Sequence, residues 1–332
     1  MSFKRLDPED FLVSADSVTA TAWSTNTPTL TEFYTASATS TNDSYYKNVY
    51  QTGSALSNAA VQFAIAYGNE QGSGSALFND LVATNSPTRT VYGQYRNLVY
   101  GDENASFIFG GISSSDFWAI SVERARYKEH LLKGTFNITL NNGSGTLNLT
   151  DNSGVTSVDT YLDCGRVYQI VSGSNGTPFT GVNSNGYSTA SGSYGLFLPD
   201  VGVMLFNPLA LTADMSLTPS RSNDSDGKNI ETFYKAVETG SSFQLNSEET
   251  VTSDYVYVRT RNAEFNYSEN PSFISGSTGD VLYNQFINSP QTYMTTVGLY
   301  NDNNELLAVA KLSKPLTKDF TKEALVRVKL DF

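Results

Sequence analysis

The stretch GTFNITLNNGSGTLNLT, residues 134–150, limits the possible folds more than any other part of the chain. Phe136, Ile138 and Leu140 alternate with polar residues, Leu147 and Leu149 repeat the pattern, and Asn141, Asn142, Gly143, Ser144 and Gly145 lie between the two runs. Successive side chains on a strand point to opposite faces, so a period of two means a strand with one apolar side. The Asn/Gly/Ser spacer then reads as a hairpin loop. The same texture returns at Trp118, Ile120 and Val122, and in RVYQIVSGS, YGLFLPDVGVMLF, SSFQLN, DYVYVRTR, DVLYNQFIN, TYMTTVGLY, ELLAVAKL and ALVRVKL. The expected fold class is mainly β with a few short helices (α+β), in antiparallel, sandwich-like sheets.

Helical signals are few. In SPTRTVYGQYRNLVYGDEN, Ser86 suits an N-cap and Pro87 the first helical position. Val91, Tyr95, Leu98 and Val99 recur at helical spacing, and Gly101 supplies a stop, which predicts an amphipathic helix near 87–100. NIETFYKAVETGS predicts a second, brief helix with Gly240 beyond its end. ERARYKEHLLKG suits either a helix or a strand.

At 332 residues the chain fits two ordinary domains better than one small core. The first 55 residues are rich in Ser and Thr, yet Trp23, Leu30, Phe33, Tyr34, Tyr45, Tyr46 and Tyr50 recur through them. So polar a stretch cannot form its own core, and a solvated linker has no use for the aromatics. Two readings follow: an extended arm ordered on something else, or an ordinary β-rich start with long loops. The first gives the expected division: an extended N-terminal arm at 1–55, a β-rich domain with the helix at 56–245, and a C-terminal β domain at 246–332 that ends in a hairpin and a strand. Deletion up to about Thr41 is then expected to leave a folded domain that fails to incorporate into its assembly.

Lys and Arg number 21 against 33 Asp and Glu, a formal net charge of -12, which repels phosphate backbones, so no nucleic-acid partner is expected. The opening MSFKRLDPEDFLVSADS has no apolar secretory core, and no window approaches the ~20 apolar residues of a membrane span. Synthesis in a cytosol without membrane insertion is therefore expected, and the Asn-x-Ser/Thr matches at Asn104, Asn137, Asn148 and Asn266 are read as composition. The one cysteine, Cys164, makes no intramolecular disulfide and is expected to be half-buried.

Catalytic equipment is sparse. The one histidine, His130, has no G-x-S-x-G serine to serve, and is read as a surface or strand-end residue. The Gly/Ser cluster at 72–75 lacks the Lys-Ser/Thr of a phosphate loop and reads as a flexible turn. NDSDGKN, with Asp224, Asp226 and Gly227, begins like a calcium loop but lacks the later ligands, and a turn is the preferred account. No catalytic residue, metal or cofactor is assigned. Surfaces for protein contact remain. VGLYNDNNELLAVAKLSKP, residues 297–315, reads as two apolar strands, followed by a Pro, joined through Asn301, Asp302, Asn303 and Asn304. The expected assembly contacts are Phe3, Leu6, Phe11, Leu12, Trp23, Phe33 and Tyr34 in the arm, and Leu299, Tyr300, Leu306, Leu307 and Val309 in the hairpin.

GLYNDNNELLAVAKLSKP resembles the hairpin of tail-fibre-attachment and baseplate proteins of tailed bacteriophages, in which an I-G-L-Y/F, acidic turn, ELLAVAK pattern recurs. KRLDPEDFLVSADSVTATAWSTNTPTLTEFYTAS, SVERARYKEHLLKGTFNITLNNGSGTLNLTD and the terminal ALVRVKLDF are similar to virion structural proteins of contractile-tailed, T4-type phages, especially those of cyanobacteria. The resemblance implies a non-enzymatic component of the virion tail, in its baseplate wedge, synthesised in host cytoplasm. Its partners would be other tail and baseplate proteins, in multiple copies per particle, with homo-oligomerisation left open. Two alternatives stand beside it: a tail-fibre protein that binds cell-surface glycan through exposed Tyr and Trp, and an envelope-degrading hydrolase whose carboxylates meet only in space.

Overall fold

A computed structural model describes residues 3–35, 46–72, 87–179, 181, 184–220 and 227–331. Ser86, Tyr45, residues 73–75 of the Gly/Ser cluster, and Asp224 and Asp226 lie outside the described residues. The fold is mainly β, as expected. Among the described residues the α-helices are four: α1 (Thr88–Tyr100), α2 (Pro208–Met215), α3 (Lys228–Gly240) and α4 (Gln285–Asn288). The chain divides into a central unit, residues 18–249, and a terminal unit that joins residues 1–17 to residues 250–332.

The central unit is built on one thirteen-stranded sheet. Its path runs Thr29–Leu30, Ser242–Gln244, Asn137–Asn141, Thr146–Asp151, Gly165–Ser174, Gly195–Leu198, Val203–Phe206, Asp116–Val122, Val61–Asn69, Tyr46–Tyr50 and Tyr34–Thr35. Its described pairings are antiparallel. The 134–150 hairpin forms as its alternation predicts, with Ile138 opposite Leu149 and Leu140 opposite Leu147.

Alternation also fills both faces of this sheet. Trp118, Ile120 and Val122 join Phe63, Ile65 and Tyr67 in one buried cluster, while Phe117 and Ala119 join Ala66 and Leu205 in another. α3 packs on the first: the Phe233 ring stacks on Trp118 at 5.3 Å, and the Trp118 indole donates to the Asn229 carbonyl at 2.9 Å. α1 packs on the second through Tyr92, 5.1 Å from Phe107 and 5.6 Å from Phe117. The sheet curls strongly, because the Phe63 and Phe243 rings meet at 5.3 Å although six strands separate theirs along the path. α3 ends so close to the strand Asn137–Asn141 that a Cβ on Gly240 would sit 1.8 Å from the Thr139 carbonyl oxygen. The helix includes Gly240, expected beyond its end, and is closed by Ser241 at φ 51°. α1 ends at Gly101, φ 63°, as expected, with Pro87 at the cap instead of the first helical position. ERARYKEHLLKG becomes a 3-10 turn, Arg124–Arg126, and a short strand, His130–Leu131.

The expected arm is corrected for the described residues after residue 17. Trp23, Leu30, Phe33 and Val49 belong to the central core. Trp23 lies 4.9 Å from Phe243 and donates its indole N–H to the Phe243 carbonyl at 2.9 Å. Thr29–Leu30 pairs with Ser242–Gln244, and the Tyr234 hydroxyl donates to the Phe33 carbonyl at 3.0 Å. Trp23 and Phe33, in this polar sequence, are anchors into the chain's own core, whereas Tyr34 and Tyr46 are exposed. The boundaries fall at 17/18 and 249/250 instead of 55/56 and 245/246.

The terminal unit contains a sheet in the order Phe11–Thr21, Asn246–Thr260, Ala324–Asp331, to which residues 11–17 and 250–260 of the first two strands contribute. Val256 lies opposite Val328. A long hairpin, Gln291–Tyr300 with Leu306–Asp319, is the second element. Its second arm runs through Pro315, which was expected to lie beyond the strand. Pro315 falls where the register shifts between Met294 and Thr296, a break at which no ladder N–H is required of it. DVLYNQFIN is not a strand: Val281 makes an isolated bridge to Ile274, and α4 follows.

Candidate assembly surface

In the terminal unit the apolar alternation does not close a core. Among the described residues its fully buried apolar side chains are Val256 and Val328. Polar groups hold the unit together instead. Lys318, with 0% exposure, donates from Nζ to the Asn262 carbonyl at 2.9 Å, the Asn266 Oδ1 at 2.8 Å and the Asp319 carbonyl at 2.9 Å. The buried Thr292 hydroxyl donates to the Phe265 carbonyl at 2.7 Å, so two hairpin side chains pin the same loop. Lys4 reaches Glu264 at 2.9 Å. The hairpin tip is closed by Asn301, whose Oδ1 accepts from the Asn303 and Glu305 backbone N–H groups at 3.0 and 2.8 Å, with Asn304 at φ 61°.

Apolar side chains are left outside. Leu306, Leu307, Val309 and Tyr300 of the hairpin are exposed, Leu307 at 68%, and Leu299 is half-buried. Phe3, Phe11 and Leu12 are exposed and Leu6 is half-buried. The structure brings part of this set together: the Phe3 ring meets the Tyr300 ring edge-on at 5.2 Å. Tyr34 is exposed, but in the central unit. Trp23 and Phe33, expected among the contacts, are 2% and 6% exposed inside the central core and are unavailable to a partner.

The sheet that runs Phe11–Thr21, Asn246–Thr260, Ala324–Asp331 carries a second feature that sequence reasoning missed. Its path ends at Phe11–Thr21 on one side and at Ala324–Asp331 on the other, so among the described residues both are edge strands. On one face, Arg327 and Lys329 lie 5.4 and 5.9 Å from the centre of the Tyr255 ring. Lys329 also pairs with Asp331 at 2.9 Å, and Asp331 accepts from the Ser253 hydroxyl at 2.6 Å. Hydrogen bonding to Asp331 holds the Lys329 ammonium above its usual range, with a smaller contribution from Asp16 on the opposite edge strand. Arg327 and Asp16 are both exposed and neither enters an ion pair among the described residues.

The chemical candidates of the central unit sit in structural settings. His130 is at a strand end as expected, with Nε2 3.0 Å from Glu248 Oε2. Cys164 is half-buried as expected, and burial pushes its thiol up to about 11. Gly227, from the calcium-like run, is the cap of α3 at φ 70°. An open cleft of about 340 Å³ lies between residues 20–26, residues 125–128 and Ser247. The Nε of Arg126 there is buried with no hydrogen-bond partner among the described residues, while Lys128 lies 3.9 Å from Glu249. Among the described residues no group of three His, Cys, Asp or Glu is placed to hold a metal ion, and no helix is long and apolar enough to cross a membrane. Comparison of the chain with protein-family models, curated proteins and solved structures returns no match.

Proposed function

We propose that this chain is a structural component of a tailed-phage virion, placed in the tail baseplate and working through protein contacts instead of turnover. The observation that carries the reading is the state of the terminal unit: two valines are fully buried while Phe3, Phe11, Leu12, Leu306, Leu307 and Val309 stand exposed. Fully covering a side chain of this size is worth about 1.5–3 kcal/mol. A partner that covers three or four of them gains about 5–10 kcal/mol, enough to offset much of the cost of association. The phage placement itself rests on the resemblance of the hairpin sequence to baseplate and tail-fibre-attachment proteins. The hairpin supports it by being a two-stranded ribbon with exposed apolar residues and a tightly closed polar tip. The partners are other tail and baseplate proteins.

Immunogold electron microscopy tests the reading, with an antibody raised against the recombinant chain and purified tailed-phage particles that carry its gene. Gold confined to the distal end of the tail is the expected result. Gold at fibre tips or on the head overturns the baseplate slot, and unlabelled particles whose epitope is shown to be accessible overturn the virion role.

A further inference from the structure

The two edges of the terminal sheet are chemically different. Between Asp7 and Ser17 the chain carries Asp7, Glu9, Asp10 and Asp16 and no Lys or Arg. The opposite edge, Ala324–Asp331, carries Arg327 and Lys329 on one face, with only Asp331 to balance them. Each edge also exposes apolar side chains, Phe11, Leu12 and Val13 on the first and Leu325 on the second. A strand at a sheet edge presents a row of unpaired backbone N–H and C=O groups, and proteins that stay monomeric usually guard it with Lys, Pro or a covering segment. Phe11–Thr21 is eleven residues long and carries neither Lys, Arg nor Pro. Ala324–Asp331 is eight residues, about 27 Å of ladder at ~3.4 Å per residue.

We propose that copies of this chain join head to tail, the Phe11–Ser17 edge of one pairing with the Ala324–Asp331 edge of the next, with Arg327 meeting Asp16 across the junction. The proposal deepens the assembly reading by naming a second copy as one partner, and it rests on that reading. The occupant follows from charge. An acidic edge opposed to its own copy sets Asp16 and its acidic neighbours near one another, and a basic edge opposed to itself does the same for Arg327 and Lys329. Pairing acidic with basic neutralises both and sets Asp16 and Arg327, neither of which enters an ion pair among the described residues, opposite one another. The junction uses different surfaces on the two copies, so it leaves a free acidic edge at one end and a free basic edge at the other. It therefore closes into a ring when the rotation between copies permits and extends otherwise.

The test is sedimentation velocity of the full chain over a dilution series, with Asp16→Lys, Arg327→Glu and the double variant Asp16→Lys/Arg327→Glu. Both positions are exposed on strand surfaces, and circular dichroism of each variant verifies the fold. The wild type is expected to form species larger than a dimer. Each single reversal is expected to weaken association about tenfold, and the double variant, in which the two edges exchange charge, to recover it. A wild type that stays monomeric, a closed dimer indifferent to both reversals, or a double variant as weak as the singles overturns the proposal. Failure here is distinguishable from failure of the tail reading. A monomeric chain that still labels the tail end overturns head-to-tail pairing alone, whereas charge-dependent association of a chain absent from particles supports the pairing and sinks the tail role.

Discussion

Replacing Trp23 by Ala separates a core anchor from an arm contact. Trp23 is 2% exposed, its ring packs 4.9 Å from Phe243 and 6.1 Å from Phe63, and its indole N–H is bonded to the Phe243 carbonyl. A buried tryptophan removes about 200 Å² from water, which at about 25 cal/mol/Å² is about 5 kcal/mol as an upper estimate. The lost hydrogen bond adds about 1 kcal/mol. Trp-to-Ala substitutions in cores cost about 3–5 kcal/mol, so about 4 kcal/mol is expected. With a urea slope of about 3 kcal/mol/M, the unfolding midpoint should fall by about 1.3 M. Trp118, the other tryptophan, remains as the fluorescence probe, buried against Phe233 in the same core. Trp23→Phe keeps a ring between Phe63 and Phe243 and should lose about half as much, which gives a folded variant to measure if Trp23→Ala does not fold. By the same logic, deletion up to about residue 41 removes Trp23, Leu30 and Phe33 and should unfold the central unit, contrary to the expectation from sequence. A Trp23→Ala protein within about 0.5 kcal/mol of wild type, the range of ordinary surface changes, would refute the placement of this segment in the core.

Gly240→Ala forces a Cβ into the Thr139 carbonyl, and thermal unfolding should show a loss of about 3 kcal/mol, the upper range for overpacking. Lys318→Met leaves the carbonyls of Asn262 and Asp319 and the Asn266 side chain without their donor. A cost of about 3 kcal/mol is expected, confined to the terminal unit, and read as faster amide exchange in residues 261–266 and at the hairpin base with the central unit unchanged. Asp319 accepts from the Thr321 hydroxyl at 2.5 Å and lies 3.1 Å from Lys322, and these partners hold its carboxyl down at about 2. Because its folded value lies below the unfolded value of about 3.9, its stabilising contribution is complete above that pH and is lost as the pH falls towards 2. An NMR titration should find the Asp319 midpoint near 2, and Thr321→Ala or Lys322→Ala should raise it; a midpoint at the ordinary value would show that these hydrogen bonds do not form.

Period-two patterning was enough to locate most strands, because a strand with one buried face must alternate. The 134–150 hairpin and the Trp118, Ile120, Val122 strand follow from it directly. α1 was legible from its spacing and from Gly101. What failed to show were long-range partners. Trp23 and Phe33 sit in polar sequence that has no local signal for a core; their burial depends on Phe243 and Tyr234, more than two hundred residues away. DVLYNQFIN alternates only loosely, and turn geometry between Ile274 and Val281 overrides it. At the surface, the hairpin's exposed residues were legible because LLAVAKL is apolar without an obvious mate. Lys318 was not: in sequence it is one of several lysines in a polar tail, and only the fold places its ammonium among three acceptors. The complementary charges of Asp16 and Arg327 were equally hidden, since only strand order makes each an edge residue.

Burial is divided unequally between the two units, and in the proposed tail role that division has a mechanical sense. The central unit buries aromatic rings on both faces of its sheet. The terminal unit relies on hydrogen bonds around Lys318 and Thr292, and a typical intramolecular hydrogen bond contributes only about 1 kcal/mol net. Its strands are therefore expected to open more readily than those of the central unit, as elements that reorganise on binding do. Association that covers Leu306, Leu307 and Val309, or that extends the sheet at Phe11–Ser17, adds to the folded state what the unit's own core lacks, by ordinary linkage between binding and stability. If, as proposed, the surface that covers Leu306, Leu307 and Val309 belongs to another subunit, the ordering of the terminal unit and its assembly are one process.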